Sequence, residues 1–372
     1  MDIKIDIEDV GISRETLEVS RPAAGKVLDS LWSDQGDNGW VQAPLHQDRE
    51  ELERILNIAD ILKQEAEMMV VIGTANATLP ARAAVSALPN TLDGIDIRFV
   101  GHDFCQDSMR RILMEMSRRG TVVCVVSKTG EEPEIQAALS VMEALMEKKY
   151  GSREFASRRT IVITEAGSEL YKEAEKEGYI IFEYPADVKE LYGALTPAGL
   201  FPMAVAGIDI RDFIDGARAM ATSPKWDTDG TDYAAARAVL RQSRQIERMG
   251  TFDTRFEELC RWLKKLCESR GDVKCTVINE SFYEAAGGDM IFETVISAED
   301  GAEGNDAITI PTGHLSGRTI EMISRELTET RMDSIRKSGC ASLKLQLPKA
   351  EPFYYGQLIY FLQTSCEITA EL

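Results

Sequence analysis

Positive charge is what this sequence has least of. Against 62 Asp and Glu stand 42 Lys and Arg, a net charge of −20 and a pI near 4.7. That balance argues against nucleic acid and anionic membranes as partners, because both are held by basic surface. Histidine is nearly missing: His46, His102 and His314 are widely spaced and form no metal-ligand motif. The cysteines Cys105, Cys124, Cys260, Cys267, Cys275, Cys340 and Cys366 include no C-x-x-C pair. Several fall inside apolar strand or helix patterns, so reduced thiols of a cytoplasmic protein are expected, with neither disulfides nor zinc. No apolar run approaches the ~18 residues of a membrane span, and no cleavable signal sequence, repeat or low-complexity tract is legible.

What is present is the composition of a globular protein. At 372 residues, 44% hydrophobic and 28% charged, the chain is long enough for two domains with real cores. IKIDIEDV near the start is expected to add an edge strand, and residues 23–32 a helix. Short β-rich runs then alternate with helical patterns. Strands are expected at 69–73, 97–100, 121–126, 160–164 and 179–183, and later at 273–279, 290–296, 307–310 and 342–347. Helices are expected between them, including 48–65, 195–220, 233–249, 254–269, 317–338 and from Tyr355 onward. This alternation predicts an α/β fold with doubly wound parallel sheets, three-layered, with helices on both faces. The polar segment TSPKWDTDGTD reads as the best domain boundary.

One stretch organises the rest: TVVCVVSKTGEEPE, Thr121 to Glu134. A strand buried on both faces (121–126) runs into Ser127, Lys128, Thr129 and Gly130, and a helix pattern follows. A strand, a hydroxyl-bearing turn and a helix N-terminus make an anion cradle, because the first helical turn leaves N–H groups unpaired. Glu131 and Glu132 place two carboxylates in that same turn, and Thr129 with Glu132 has capping-box spacing. Either the cradle is open to a ligand or the chain fills it.

Several stretches resemble the bacterial-type glucose-6-phosphate isomerase family, which is built from two sugar-isomerase (SIS) domains. They are GWVQAP (39–44), VVIGTANATLPARAA (70–84), VVSKTGEEPE (125–134), DVKELYGALTPAGLFPMAVAGIDI (187–210), HLSGRT (314–319) and YGQLIYFLQTSCEI (355–368). The resemblance implies two SIS-type domains, at 46–212 and 213–372, after an N-terminal segment at 1–45. It also implies a homodimer, for which the long apolar stretch 195–210 is a second argument. The implied activity is interconversion of an aldose 6-phosphate and its ketose through a cis-enediol, within carbohydrate metabolism and with no metal or organic cofactor. The implied ligand is a sugar or sugar phosphate. Such chemistry needs a phosphate cradle, a carboxylate base, a cation for the enediolate and a ring-opening group.

Carried across residue by residue, the resemblance assigns substrate binding to Gly73, Thr78, Ser127, Lys128 and Thr129, and leaves Glu284 as the candidate base. Other positions depart from the family pattern. The first glycine-rich turn reads Gly73, Thr74, Ala75, Asn76, Ala77, with Ala77 at the phosphate-binding serine. A threonine-rich run has become Glu131, Glu132 and Pro133. The arginine position is Leu191, with Lys189 two residues away. The segment INESFYEAAGGDMIFETV contains no histidine, and the sequence ends at ITAEL, before the family's lysine-bearing segment. A carboxylate about 4 Å from one phosphate charge costs roughly 4 kcal/mol at an effective dielectric of about 20. Losing an electrostatic stabiliser costs about 10²–10³ in rate and losing a general acid or base about 10²–10⁴. Two readings follow: an active sugar-phosphate isomerase, or a non-catalytic SIS protein that binds a sugar as sensor or scaffold.

Overall fold

The computed structural model describes residues 2–33, 36, 38–89, 93–101, 105–271, 274–278, 290–299 and 308–372. The chain divides into two compact units, Trp32–Ile214 and Met1–Leu31 with Asp215–Leu372. The first 31 residues thus fold with the second half, while 32–45 fold with the first. Its strands are β1 (Lys4–Asp6), β2 (Met68–Gly73), β3 (Asp96–Val100), β4 (Thr121–Val126) and β5 (Thr160–Thr164), then β6 (Ile180–Glu183), β7 (Ile246–Thr251), β8 (Lys274–Ile278), β9 (Ile291–Ala298) and β10 (Ala341–Leu347).

In the unit 32–214 the strand order is β3-β2-β4-β5-β6, every neighbouring pair parallel. β2, β4 and β5 are buried along their whole length. Their apolar runs follow from that position, since strands covered by helices on both faces have no side that water solvates. One face packs Val70, Ile72, Val123, Val125 and Val162 against Ile135, Leu139 and Met142 of the helix Pro133–Tyr150. That helix opens with a proline in its first turn and closes on Gly151 at φ 81, the usual start and stop chemistry. The apolar stretch 195–205 lies wholly inside this unit, with Leu200, Phe201, Met203 and Val205 each at 1% exposure or less. It therefore gives no support to a dimer.

The other unit carries the order β1-β10-β9-β7-β8, with β1 antiparallel at one edge and the remaining pairs parallel. One of its inner strands departs from the sequence expectation. Residues 233–249 read as one helix, but the helix ends at Ser243 and 246–251 is β7. β7 carries the charged pair Glu247 and Arg248, which is out of place in a buried strand unless partnered. Both are partnered: Glu247 with Arg237 at 2.8 Å and Arg241 at 3.0 Å, and Arg248 with Glu293. Of the strand expected at 307–310, the described residues 308–310 hold an isolated bridge, Thr309 to Thr319, and 307 lies outside the described residues. The segment 222–232, expected at the domain boundary, packs into this unit through buried Trp226, whose ring stacks 5.3 Å from Phe361. Among the described residues, no helix is long and apolar enough to cross a membrane.

Candidate functional site

In the unit 32–214 the chain leaves β2 toward β3 on one side and returns to β4 on the other. The crevice outside the carboxyl ends of β2 and β4 is therefore the topological switch point, where open α/β sheets bind ligands. Gly73 ends β2 there. A Cβ at this position would lie 2.7 Å from Thr78 Cγ2 and 2.8 Å from the Val126 carbonyl oxygen, so close approach of two chain segments requires glycine. Thr74 then caps the helix Ala75–Ala87, its hydroxyl accepting from Ala77 N at 3.3 Å. Thr78 is buried within that helix and donates its hydroxyl to the Thr74 carbonyl at 2.8 Å.

The turn after β4 is closed on itself. Ser127 is fully buried, its Oγ donating to Glu132 Oε2 at 2.7 Å and accepting from Gly130 N at 2.7 Å. Gly130 makes this possible with φ at 79°, and a side chain there would meet Leu170 Cβ at 2.5 Å. The helix starts at Pro133 with Glu132 as its N-cap residue, and the Glu132 carboxylate makes no cap bond because it turns back to Ser127. The capping box of Thr129 and Glu132 is thus not formed. Exposed Thr129 instead accepts from Glu131 N at 3.3 Å. Lys128 is turned toward the 186–188 segment. Its ammonium donates to the Ala186 and Val188 carbonyls at 3.0 and 3.2 Å, and pairs with Glu165 at 2.6 Å. Three donors on three acceptors leave it no N–H for a ligand.

A residue to which sequence reading gave no role completes the cluster. Glu190, at the start of the 3₁₀ turn Glu190–Leu195, accepts from Thr74 Oγ1 at 3.4 Å. Burial raises its carboxyl above the ordinary range and the Glu132 charge adds to this, while Thr74 and Lys128 pull the other way. Its only sequence signal was position: a carboxylate beside Leu191, where the resemblance expects arginine. Leu191 itself is buried, and Lys189 is exposed. The stretch 39–44 docks on this same segment, Gly39 N donating to the Asp187 carbonyl at 3.1 Å and Trp40 lying 4.9 Å from the Tyr192 ring. Glu284 and His102 lie outside the described residues, and His46 and His314 are exposed.

The structure therefore brings together Gly73, Thr74, Ser127, Glu132 and Glu190, while Lys128, Thr129 and Thr78 engage their polar groups elsewhere. A crevice of about 1280 Å³ also lies in the other unit, at the carboxyl ends of β7 and β9. Its lining mixes Arg255, Arg325 and Lys344 with Asp253, Glu299 and Glu321, and holds none of the residues carried over above. The β2–β4 crevice is the better candidate because it contains the matched turn.

No protein-family model matches the chain. A glucose-6-phosphate isomerase of Caldanaerobacter subterraneus subsp. tengcongensis is 30% identical over 375 residues, covering 92% of this chain and 83% of that protein. One from Acetivibrio thermocellus is 30% identical over 368 residues, covering 90% and 82%. Among solved structures, a hypothetical protein of Thermus thermophilus superposes with TM-score 0.89 at 21% identity, covering 99% of this chain and 94% of that one. A glucose-6-phosphate isomerase of Chlamydia trachomatis superposes with TM-score 0.82 at 16% identity, covering 100% and 84%. At these identities the superpositions speak for the fold, which is the two-domain doubly wound α/β architecture expected from the sequence.

Proposed function

The chain belongs to the glucose-6-phosphate isomerase family, and on that premise we propose that it is a sugar-binding member whose own Glu132 carboxylate takes the place of a ligand phosphate, leaving at most trace isomerase activity. The bond from Ser127 Oγ to Glu132 Oε2 at 2.7 Å carries the reading. A phosphate oxygen would need the proton that this hydroxyl already donates, and it would meet the carboxylate that receives it. At about 4 Å and an effective dielectric of about 20, that encounter costs roughly 4 kcal/mol per phosphate charge. Glu190 adds a second carboxylate to the same crevice. Two carboxylates make good acceptors for sugar hydroxyls, so the ligand class favoured is a neutral sugar. The buried Leu191 offers an enediolate no positive charge.

Two observations favour the other reading, an active isomerase acting on glucose 6-phosphate and fructose 6-phosphate. The relatives at 30% identity carry that name, and the Ser127-Lys128-Thr129 turn is retained. Here Glu132 would swing out as substrate entered, and Glu284 would be the base. The two readings separate in a dehydrogenase-coupled assay on fructose 6-phosphate, with deuterium uptake at C2 as the more sensitive measure. Our reading expects trace turnover at most. Robust turnover that vanishes in Glu284→Gln would overturn it and assign the base to Glu284.

A further inference from the structure

The proposed function uses none of the seven thiols, yet three of them meet in the core of the second unit. Cys267 on the helix Glu257–Glu268 lies 3.2 Å, sulfur to sulfur, from Cys366 on the helix Pro352–Glu371. Cys275 on β8 joins them, its Sγ within 4.8 Å of both Cys267 Sγ and a Glu247 carboxylate oxygen. Such a donor set could suit a soft metal, but a cation already occupies the place. The fully buried guanidinium of Arg237 donates to both Glu247 oxygens at 2.8 and 2.9 Å, to Cys267 Sγ at 2.7 Å and to Cys366 Sγ at 3.1 Å.

One ionised thiol would balance the charges of this cluster. Arg237, fully buried, and Arg241, partly exposed, share Glu247 as their acid partner, so with neutral thiols the cluster would carry one positive charge in excess. Cys267 is the thiol that faces the guanidinium most closely and receives the most donors. Burial alone would raise it, but the thiols of Cys275 and Cys366 and the charges of Arg237 and Arg241 outweigh that and hold it well below the ordinary thiol range. Burial and then the contact with Cys267 push Cys366 up, while for Cys275 that contact leads and burial adds to it. The arrangement favours the thiolate form at Cys267, in contact with the Cys366 thiol 99 residues away in the chain.

We propose that Cys267 is a hydroperoxide-sensitive modification site, a thiolate charge-balanced by Arg237, with Cys366 as the thiol that resolves it to a disulfide. The thiolate is the nucleophilic form of cysteine. Its sulfur attacks one oxygen of hydrogen peroxide, the O–O bond breaks, and the departing hydroxide takes a proton to leave as water. Cys267 is then a sulfenic acid. Cys366 gives up its proton as its sulfur attacks the sulfenic sulfur, the S–O bond breaks, and a second water leaves. Two electrons pass from the two sulfurs to the peroxide. Burial excludes bulky reagents, so an oxidant close to water in size would enter by local opening at β8, the end strand of the sheet order, which carries Cys275.

The test uses the intact chain. Exposed Cys105 is capped with N-ethylmaleimide under native conditions, hydrogen peroxide is added and then removed with catalase, and the denatured protein is alkylated and mapped by mass spectrometry. A parallel uncapped sample calibrates the dose through Cys105. The expected result is a Cys267–Cys366 cross-linked peptide that a dithiol reverses, with Cys124, Cys260 and Cys340 still alkylated. In Cys366→Ser, dimedone added with the denaturant should trap a sulfenic acid at Cys267. Free Cys267 and Cys366 at a dose that oxidises Cys105 would overturn the proposal. So would a Cys267–Cys275 cross-link, or oxidation spread evenly over the buried thiols.

Discussion

At the scale of single residues, the two neighbouring carboxylates of the turn have opposite fates. Glu131 is exposed and Glu132 is hydrogen-bonded to Ser127. Glu132→Thr should therefore strengthen fructose 6-phosphate binding about tenfold or more, most at low salt where screening is least. Glu131→Thr should change it little. Calorimetric titration of both variants decides the matter, and equal effects would show that Glu132 does not guard the cradle. Glu190 predicts a pH effect whose sign follows from its raised carboxyl. The folded chain holds this proton more tightly than the unfolded chain does. The stability it contributes is full below the ordinary carboxylate range and is lost as pH rises through the raised folded value. Glu190→Gln stays neutral throughout, so it should melt higher than the parent at neutral pH, with the gap closing toward about pH 4. Identical melting curves across that range would refute it.

At the scale of elements, the site depends on how tightly the start of one helix is drawn against the end of a neighbouring strand. Gly73 permits this, with the Val126 carbonyl and the Thr78 methyl on either side of its missing side chain. Gly73→Ala should cost about 1–3 kcal/mol, since a strand carbonyl in mid-sheet has little room to retreat. The expected readout is a lower urea midpoint with an unchanged m value; an unchanged midpoint would mean that the helix shifts freely. The same scale explains the misread strand β7. Its charges are tolerated only because Arg237, Arg241 and Glu293 arrive from other elements, and local periodicity carries no trace of them.

For the whole molecule, the family resemblance implies a homodimer, and burial of 195–205 moves the question to other surfaces. One candidate is an open apolar groove formed by Met109, Leu113, Met114 and Val141, between the helices Gln106–Arg118 and Pro133–Tyr150. Sedimentation equilibrium at micromolar concentration should show twice 41.3 kDa. Met114→Asp, at a position 51% exposed, should shift the protein to the monomer while leaving it folded. A parent chain that sediments only as a monomer ends the dimer expectation.

The runs MMVVIG and TVVCVV by themselves determined a parallel sheet covered on both faces, because a strand that meets no water has no polar side to show. That Ala77 brings no hydroxyl and Leu191 no charge needed no coordinates either, since side-chain chemistry survives any fold. Direction and distant company were decided only by the tertiary structure. Which of Glu131 and Glu132 faces Ser127 depends on the left-handed turn at Gly130 and on where the helix begins. Thr74 meets Glu190 across 116 residues, and Arg237 meets Cys366 across 129. Contacts of that range are set by how helices cover the sheets, and no local sequence pattern encodes them.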